Sequence, residues 1–223
     1  MTDLPVHPPP ASAPAIAWIW KDAAPPAWSR AQVALVDRHI LLSGPSIRER
    51  PGVQPRRLAP RTAVTPVVHV ELDLLRPAAD LRAASPAIVA AMHSAARAST
   101  SGWVQLDLEA RPSQRSDYRA LVQELRRTLP AHIKLSVTAL AWWCRAPAWL
   151  DGLAANEVVP MFFKMGRDGA AVRELVAHRP DALHPVCRSG SAGFSPQEPF
   201  DRGVTARYAQ TYWFDYHGWK KSP

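Results

Sequence analysis

Residues 103–115 read Trp-Val-Gln-Leu-Asp-Leu-Glu-Ala-Arg-Pro-Ser-Gln-Arg. The first half alternates: Val104, Leu106 and Leu108 are apolar, while Gln105, Asp107 and Glu109 are polar. Period-two alternation places the two sets on opposite faces of a strand. A helical pattern from Tyr118 to Leu129 follows after a short loop. The apolar face then packs under helices, and Gln105, Asp107 and Glu109 turn toward the axis of a barrel. With a rise of about 3.3 Å per residue, the two carboxylates have Cα atoms about 6.5 Å apart. Like charges held that close raise one pKa, so one acid stays protonated near neutrality. That is the chemistry of a general acid beside a stabilising or nucleophilic carboxylate. The alternative is structural: two acids at a strand end can cap the next helix or pair with Arg111 and Arg115.

The chain has 223 residues, enough for one large domain with a sizeable core, and 47% of them are hydrophobic. No apolar run is long enough to span a membrane. The start has neither a basic segment nor an apolar core, so no signal peptide is expected and the default is cytoplasmic. An export segment would be hidden by a misassigned or trimmed start. The formal net charge is +8, carried almost wholly by arginine. The arginines are scattered apart from Arg48 to Arg61, and no nucleic-acid-binding motif is present. Charge alone supports only non-specific binding, so no specific nucleic-acid partner is expected. Cys144 and Cys187 form no Cys-x-x-Cys, which excludes a zinc site of the usual spacing. They could form a disulfide in an exported chain or remain two buried thiols.

Taken in order, residues 1–14 hold five prolines and read as a poorly ordered arm; residues 15–219 read as one domain. Strand patterns fall at Ala15 to Trp20, Val33 to Ser43, Val64 to Leu72, Lys134 to Leu140, Glu157 to Phe163 and Arg207 to Tyr216, with a short one near Pro185 to Gly193. Residues 44–62 are rich in arginine and proline without period and read as a long loop. On the third strand Val67, His69 and Glu71 share one face. His69 reads as a hydrogen-bonded core histidine, with a catalytic role as the alternative. Helices are expected at Pro86 to Ala98 with Ser85 as N-cap, after Ser116, at Trp149 to Ala155 and at Ala170 to Ala177. Trp142 and Trp143, just past a strand end, could stack on sugar rings or roof the core.

Strands alternating with helices predict parallel βα units. Seven or eight strands in this length give a compact or incomplete (β/α)8 TIM-like barrel, with helices missing near residues 44–62 and 190–205. No dinucleotide-binding or phosphate-binding glycine motif and no serine-hydrolase elbow is present, and no cofactor is expected.

The segments Val104 to Arg115, Leu135 to Leu140 and Val159 to Gly166 resemble a bacterial family, domain of unknown function 3142, regarded as glycosidase-like. Gln105-Leu-Asp107-Leu-Glu109 is more distantly similar to the Asp-x-Asp-x-Glu pattern of chitinase-type barrel glycosidases, with glutamine in place of the first aspartate. The likeness implies a general-acid role for Glu109 and an assisting role for Asp107 toward an N-acetyl group of the substrate. Further candidate substrate-binding residues are Glu71, Gln105, Arg115, Trp142, Trp143, Lys164 and Trp213. The expected function is a glycoside hydrolase acting on a poly- or oligosaccharide; the alternative is a non-catalytic carbohydrate-binding or scaffold protein on a degenerate barrel.

Overall fold

The alternation seen at residues 103–108 recurs through the chain and closes it on itself. A computed structural model describes residues 14–21, 24–53, 58–73, 75, 79–217 and 219. All but the last residue of the proline-rich arm lies outside them. The strands are β1 (Ala15–Ile19), β2 (Gln32–Ser43), β3 (Ser46–Pro51), β4 (Ala63–Leu72), β5 (Trp103–Leu108), β6 (Lys134–Leu140), β7 (Glu157–Met161), β8 (Ser191–Phe194) and β9 (Gln210–Phe214). Leaving out β3, each strand lies parallel to the next, β9 lies parallel to β1, and β1 to β2. The result is a closed eight-stranded parallel barrel of the TIM type.

Helices α1 (Leu81–Ala98), α2 (Arg115–Thr128), α3 (Gly169–His178) and the single turn α4 (Arg202–Thr205) flank it. The barrel is complete and the helical ring is not. Among the described residues, the link from β1 to β2 holds a 3-10 turn at Ala27–Ser29, the link from β2 to β4 holds the β3 hairpin, and neither holds an α-helix. Residues 44–62, expected as a plain loop, therefore hold a strand. Every residue of β3 is exposed, so no apolar face marks its period in the sequence.

Two apolar layers lie on either side of the barrel wall. Val104, Leu106 and Leu108 face outward into one core with Ile88 and Met92 of α1 and Leu121, Val122 and Leu125 of α2. Ile16, Trp18, Val67, Met161, Phe163 and Tyr212 belong to a second core inside the barrel. Trp18 stacks on Tyr212 with centroids 5.1 Å apart and meets Phe163 edge-on at 6.0 Å. Its ring reaches β8, where a Cβ on Gly193 would lie 2.8 Å from two of its carbons.

Three helix starts differ from expectation. α1 begins at Leu81, capped by the Asp80 carboxylate accepting from the Ala83 amide. Pro86 lies inside it, and the Ser85 hydroxyl donates to the Leu81 carbonyl rather than capping. α2 begins at Arg115, one residue ahead of Ser116, because a 3-10 turn at Pro112–Gln114 feeds it directly. Residues 149–155 contribute the end of a 3-10 turn, Pro147–Trp149, and then loop.

Cys144 and Cys187 form a buried disulfide across 43 residues. Closing a loop of that length removes denatured-chain entropy worth about 4 kcal/mol. Replacing both cysteines by alanine should lower the unfolding free energy by about that amount in a denaturant melt. Gly193→Ala should cost about 1–3 kcal/mol by overpacking Trp18, read as a drop in Tm.

Candidate active site

The inward row of β5 runs from a closed floor to an open mouth. Gln105 is fully buried; its Oε1 accepts from Trp18 Nε1 at 2.6 Å and its Nε2 donates to Ser136 Oγ at 3.0 Å. Below it, Glu157 accepts from the hydroxyls of Ser136, Ser191 and Tyr212. Every polar group there has a partner, as a buried floor requires.

One step up, Asp107 is 4% exposed. Its Oδ1 accepts from Thr138 Oγ1 at 2.6 Å and its Oδ2 meets His69 Nδ1 at 2.7 Å. β4 places His69 there by register, opposite Asp107. Burial alone would push Asp107 up, but the hydrogen bond and charge of His69, with Thr138, hold its pKa below the ordinary value. Burial likewise opposes charge on His69, and Asp107, with Glu71 and Glu109, carries its pKa above the ordinary value. The two form an ion pair. His39 packs edge-on against His69 with centroids 5.5 Å apart. Burial, then the charges of His69 and Arg50, lower its pKa to about 4, so His39 stays neutral.

Glu109 lies just past the strand end, where its carboxylate has no hydrogen bond or ion pair among the described residues. Glu109 is exposed at the mouth; desolvation by the protein packed around it, then the Asp107 charge, raise its pKa, against the opposing effect of His69 and Lys164. One carboxylate fixed and ionised beside one free and pushed toward the acid form is the asymmetry acid catalysis requires. Both line a cavity of about 270 Å³ with His69 and Thr138. Trp18, Trp20, Met161, Phe163 and Phe214 supply its apolar walls, and Lys164 stands at its edge.

The other expected site residues separate into two groups. Lys164 lines the cavity, its Nζ 4.6 Å from the Tyr216 ring centroid and 5.4 Å from that of Phe214. Its backbone, at φ +50°, donates to Glu198. Gln105 is in the floor. Glu71 follows His69 on the same face but is exposed at the rim, outside the cavity lining.

Arg115 is on the outer surface, in a groove with Arg119 and Asp151. Arg111 donates to the Asp73 carbonyl. Neither arginine holds Asp107 or Glu109. Trp142 and Trp143 lie in the outer layer: Trp143 is fully buried and stacks on Trp149 at 4.1 Å, and Trp142 meets Trp149 edge-on. Trp213 also faces out, donating to Thr211 Oγ1, because Tyr212 and Phe214 on either side of it face in. These three indoles clad the barrel instead of lining its mouth.

Aromatic lining comes from Trp18, Trp20, Phe163 and Phe214, which the sequence reading left unassigned. Alternation in residues 16–20, Ile-Ala-Trp-Ile-Trp, carried the signal for the first two. His69 is hydrogen-bonded as expected, and its partner is Asp107. Among the described residues no cluster of His, Cys, Asp or Glu could hold a metal ion, and no helix is long and apolar enough to cross a membrane.

No family model and no curated protein sequence matches the chain, so the likeness to domain of unknown function 3142 is not confirmed. Solved structures do match. A GH18 chitinase from Pseudoalteromonas aurantia aligns over 92% of this chain and 94% of its own, with TM-score 0.56 and 11% identity. The spore cortex-lytic enzyme SleL of Bacillus cereus aligns over 82% of this chain, with TM-score 0.53 and 14% identity. This chain spans 50% of SleL's length. At these identities the shared property is the fold alone, a closed barrel of eight parallel strands.

The His69–Asp107 pair dictates a pH window for stability. Asp107, with a lowered pKa, contributes above the unfolded value near 4; the contribution is lost as pH falls through its folded pKa. His69, with a raised pKa, contributes fully below about 6.5 and loses this as pH rises through its folded pKa. His69→Gln should cost about 3–5 kcal/mol between roughly pH 4 and 6.5. Urea melts across pH should show that deficit shrinking on the alkaline side.

Proposed function

We propose that the protein is a glycoside hydrolase in which Glu109 is the general acid and Asp107 the assisting carboxylate. The observation that carries this is the contrast between the two acids on β5. Asp107 is fixed by His69 and Thr138, while Glu109 is unpaired, raised in pKa and open to the cavity. In this reading a sugar ring sits against Trp18, Trp20, Phe163 and Phe214, whose flat apolar faces suit its C–H face. Glu109 gives its proton to the glycosidic oxygen as the bond from that oxygen to the anomeric carbon breaks. Positive charge develops at the anomeric carbon of the sugar that remains, and the fixed anion of Asp107 lies beside it; the departing sugar leaves with the proton from Glu109. Water then adds to the anomeric carbon and returns its proton to Glu109.

The chitinase-type fold supports this reading, and so does the order of residues, with Glu109 two positions after Asp107. Gln105 stands where that pattern has its first aspartate. Its amide is tied into the floor by Trp18 and Ser136, so it supplies shape and neutral hydrogen bonds without a third charge. His69, from the neighbouring strand, supplies the polar partner for Asp107.

Glu109→Gln keeps the shape and removes the proton. On a panel of β-linked oligosaccharides its turnover should fall about 10²–10⁴-fold with Tm nearly unchanged. The wild-type rate should decline as pH rises through the raised Glu109 pKa, because the acid form is the active one. Retained glycan binding with no turnover by the wild type on any substrate would replace hydrolysis with carbohydrate binding.

A further inference from the structure

The strands of the barrel do not end together. β2 pairs with β1 through Leu35 and then continues past a bulge near Asp37 to Ser43. From Arg38 onward, the position that β1 held beside β2 is taken by β3, running antiparallel. β4 continues with β2 as far as Leu72. Three strands therefore rise above the closed barrel on one side of the mouth, with β3 above the end of β1 and Trp20.

Register fixes which side chains this rim turns inward. His39 lies opposite His69 on β4 and opposite Arg50 on β3. Leu41 lies opposite Glu71 and Arg48. Directly opposed residues share a face. His39 is on the inner face, since its ring meets both His69 and Trp20. Arg50 and Arg48 are on that face too, and Arg50 is close enough for its charge to act on His39. Arg38 and Glu49, on the other face, pair with each other.

Arg48 and Arg50 are exposed. Neither has a hydrogen bond or ion pair among the described residues. Glu71 shares the inner face, but Leu41 separates it from Arg48, and no salt bridge joins them. Across the mouth stands Lys164. Three strand spacings of about 4.8 Å put β3 about 14 Å from β5. That is the reach of a short oligosaccharide extending from Glu109.

We propose that this rim is a subsite for an anionic group, carboxylate or sulfate, on the glycan, recognised by Arg48 and Arg50. The proposal rests on the hydrolase reading and names its substrate class as acidic glycans. The guanidinium fork suits a planar carboxylate held bidentately and also accepts sulfate oxygens. Placing the cations on the rim, away from Glu109, lets them hold the chain without lowering the pKa of the acid.

The test uses the full chain and calorimetric binding of three probes: a hyaluronan hexasaccharide, a chondroitin sulfate hexasaccharide and neutral hexa-N-acetylglucosamine. The variants are Arg48→Ala/Arg50→Ala, its glutamine counterpart, and Arg97→Ala/Arg127→Ala as a charge-matched control at the opposite end of the barrel. At least one acidic probe should bind more tightly than the neutral one. Its Kd should rise at least about tenfold in both rim doubles and stay unchanged in the control. Both acidic probes carry glucuronate carboxylates and only chondroitin sulfate adds sulfate, so tighter binding of the sulfated probe marks sulfate recognition and binding of hyaluronan at least as tight marks carboxylate recognition. Equal weakening by rim and control doubles, rim doubles without effect, or no acidic probe binding would overturn the subsite. Glu109→Gln separates the two claims. Turnover of the neutral probe, lost in that variant but kept in the rim doubles, with acidic probes unbound, leaves the hydrolase and removes the subsite. Rim-dependent acidic binding without any turnover does the reverse.

Discussion

The structure depends on one constraint: three polar residues on β5 point into a barrel, and each must be satisfied where it stands. A buried polar group without a partner costs about 1–3 kcal/mol. Gln105, deepest, meets Trp18 and Ser136. Asp107, charged and nearly buried, takes a cation from β4 and a hydroxyl from β6. Glu109 is left to the mouth, where solvent or a ligand serves it. Solvation along a single strand thus grades from floor to opening, and the difference between the two acids follows from that grade. Register makes it possible, since parallel pairing sets His69 level with Asp107.

The same pairing explains how so short a chain closes a barrel. Helices cover β4 to β8, where α1, α2 and α3 bury the outward faces. Among the described residues no α-helix links β1 to β2 or β2 to β4, and there the wall is lengthened instead. Ile40, Leu42 and Val70 of the raised strands are buried in the outer core while their neighbours face the mouth. The bulge between Val36 and Arg38 lets β2 change partner from β1 to β3. Gly52 packs flat on that bulge, with no room for a side chain, because its Cβ would fall 2.0 Å from the Val36 carbonyl oxygen.

Much of this was legible. Alternation at residues 103–108 gave the orientation of Gln105, Asp107 and Glu109, and strand–helix succession gave the barrel. What was not legible depended on neighbours in space. Trp142 and Trp143 look like a platform because they follow a strand, yet a 3-10 turn swings Trp143 onto Trp149 and Tyr118 outside the barrel. Trp213 sits one residue out of phase with the inward-facing Tyr212 and Phe214, and one residue of phase sends a strand side chain to the opposite face. β3 carried no apolar period because both its faces meet water. The pairing of His69 with Asp107 needs the register between two strands 38 residues apart, which composition does not encode.

The outer tryptophans nevertheless bear on the site. Trp143, Trp149 and Tyr118 pack together directly after β6, and the Cys144–Cys187 disulfide ties that segment to the chain entering β8. β6 carries Thr138, and β8 carries Gly193 beneath Trp18. The rigid cladding therefore stands behind the strands that fix Asp107 and seat the central indole, where a loss of about 1 Å in placement would matter most. The raised rim opposite carries Arg48 and Arg50 on the exposed β3. Under the proposed function, a charged sugar substituent could be gripped by exposed arginines, whereas proton transfer from Glu109 would need a fixed neighbour. The uneven distribution of helices, aromatics and the disulfide around this barrel is what such a division between holding a chain and cutting it would call for.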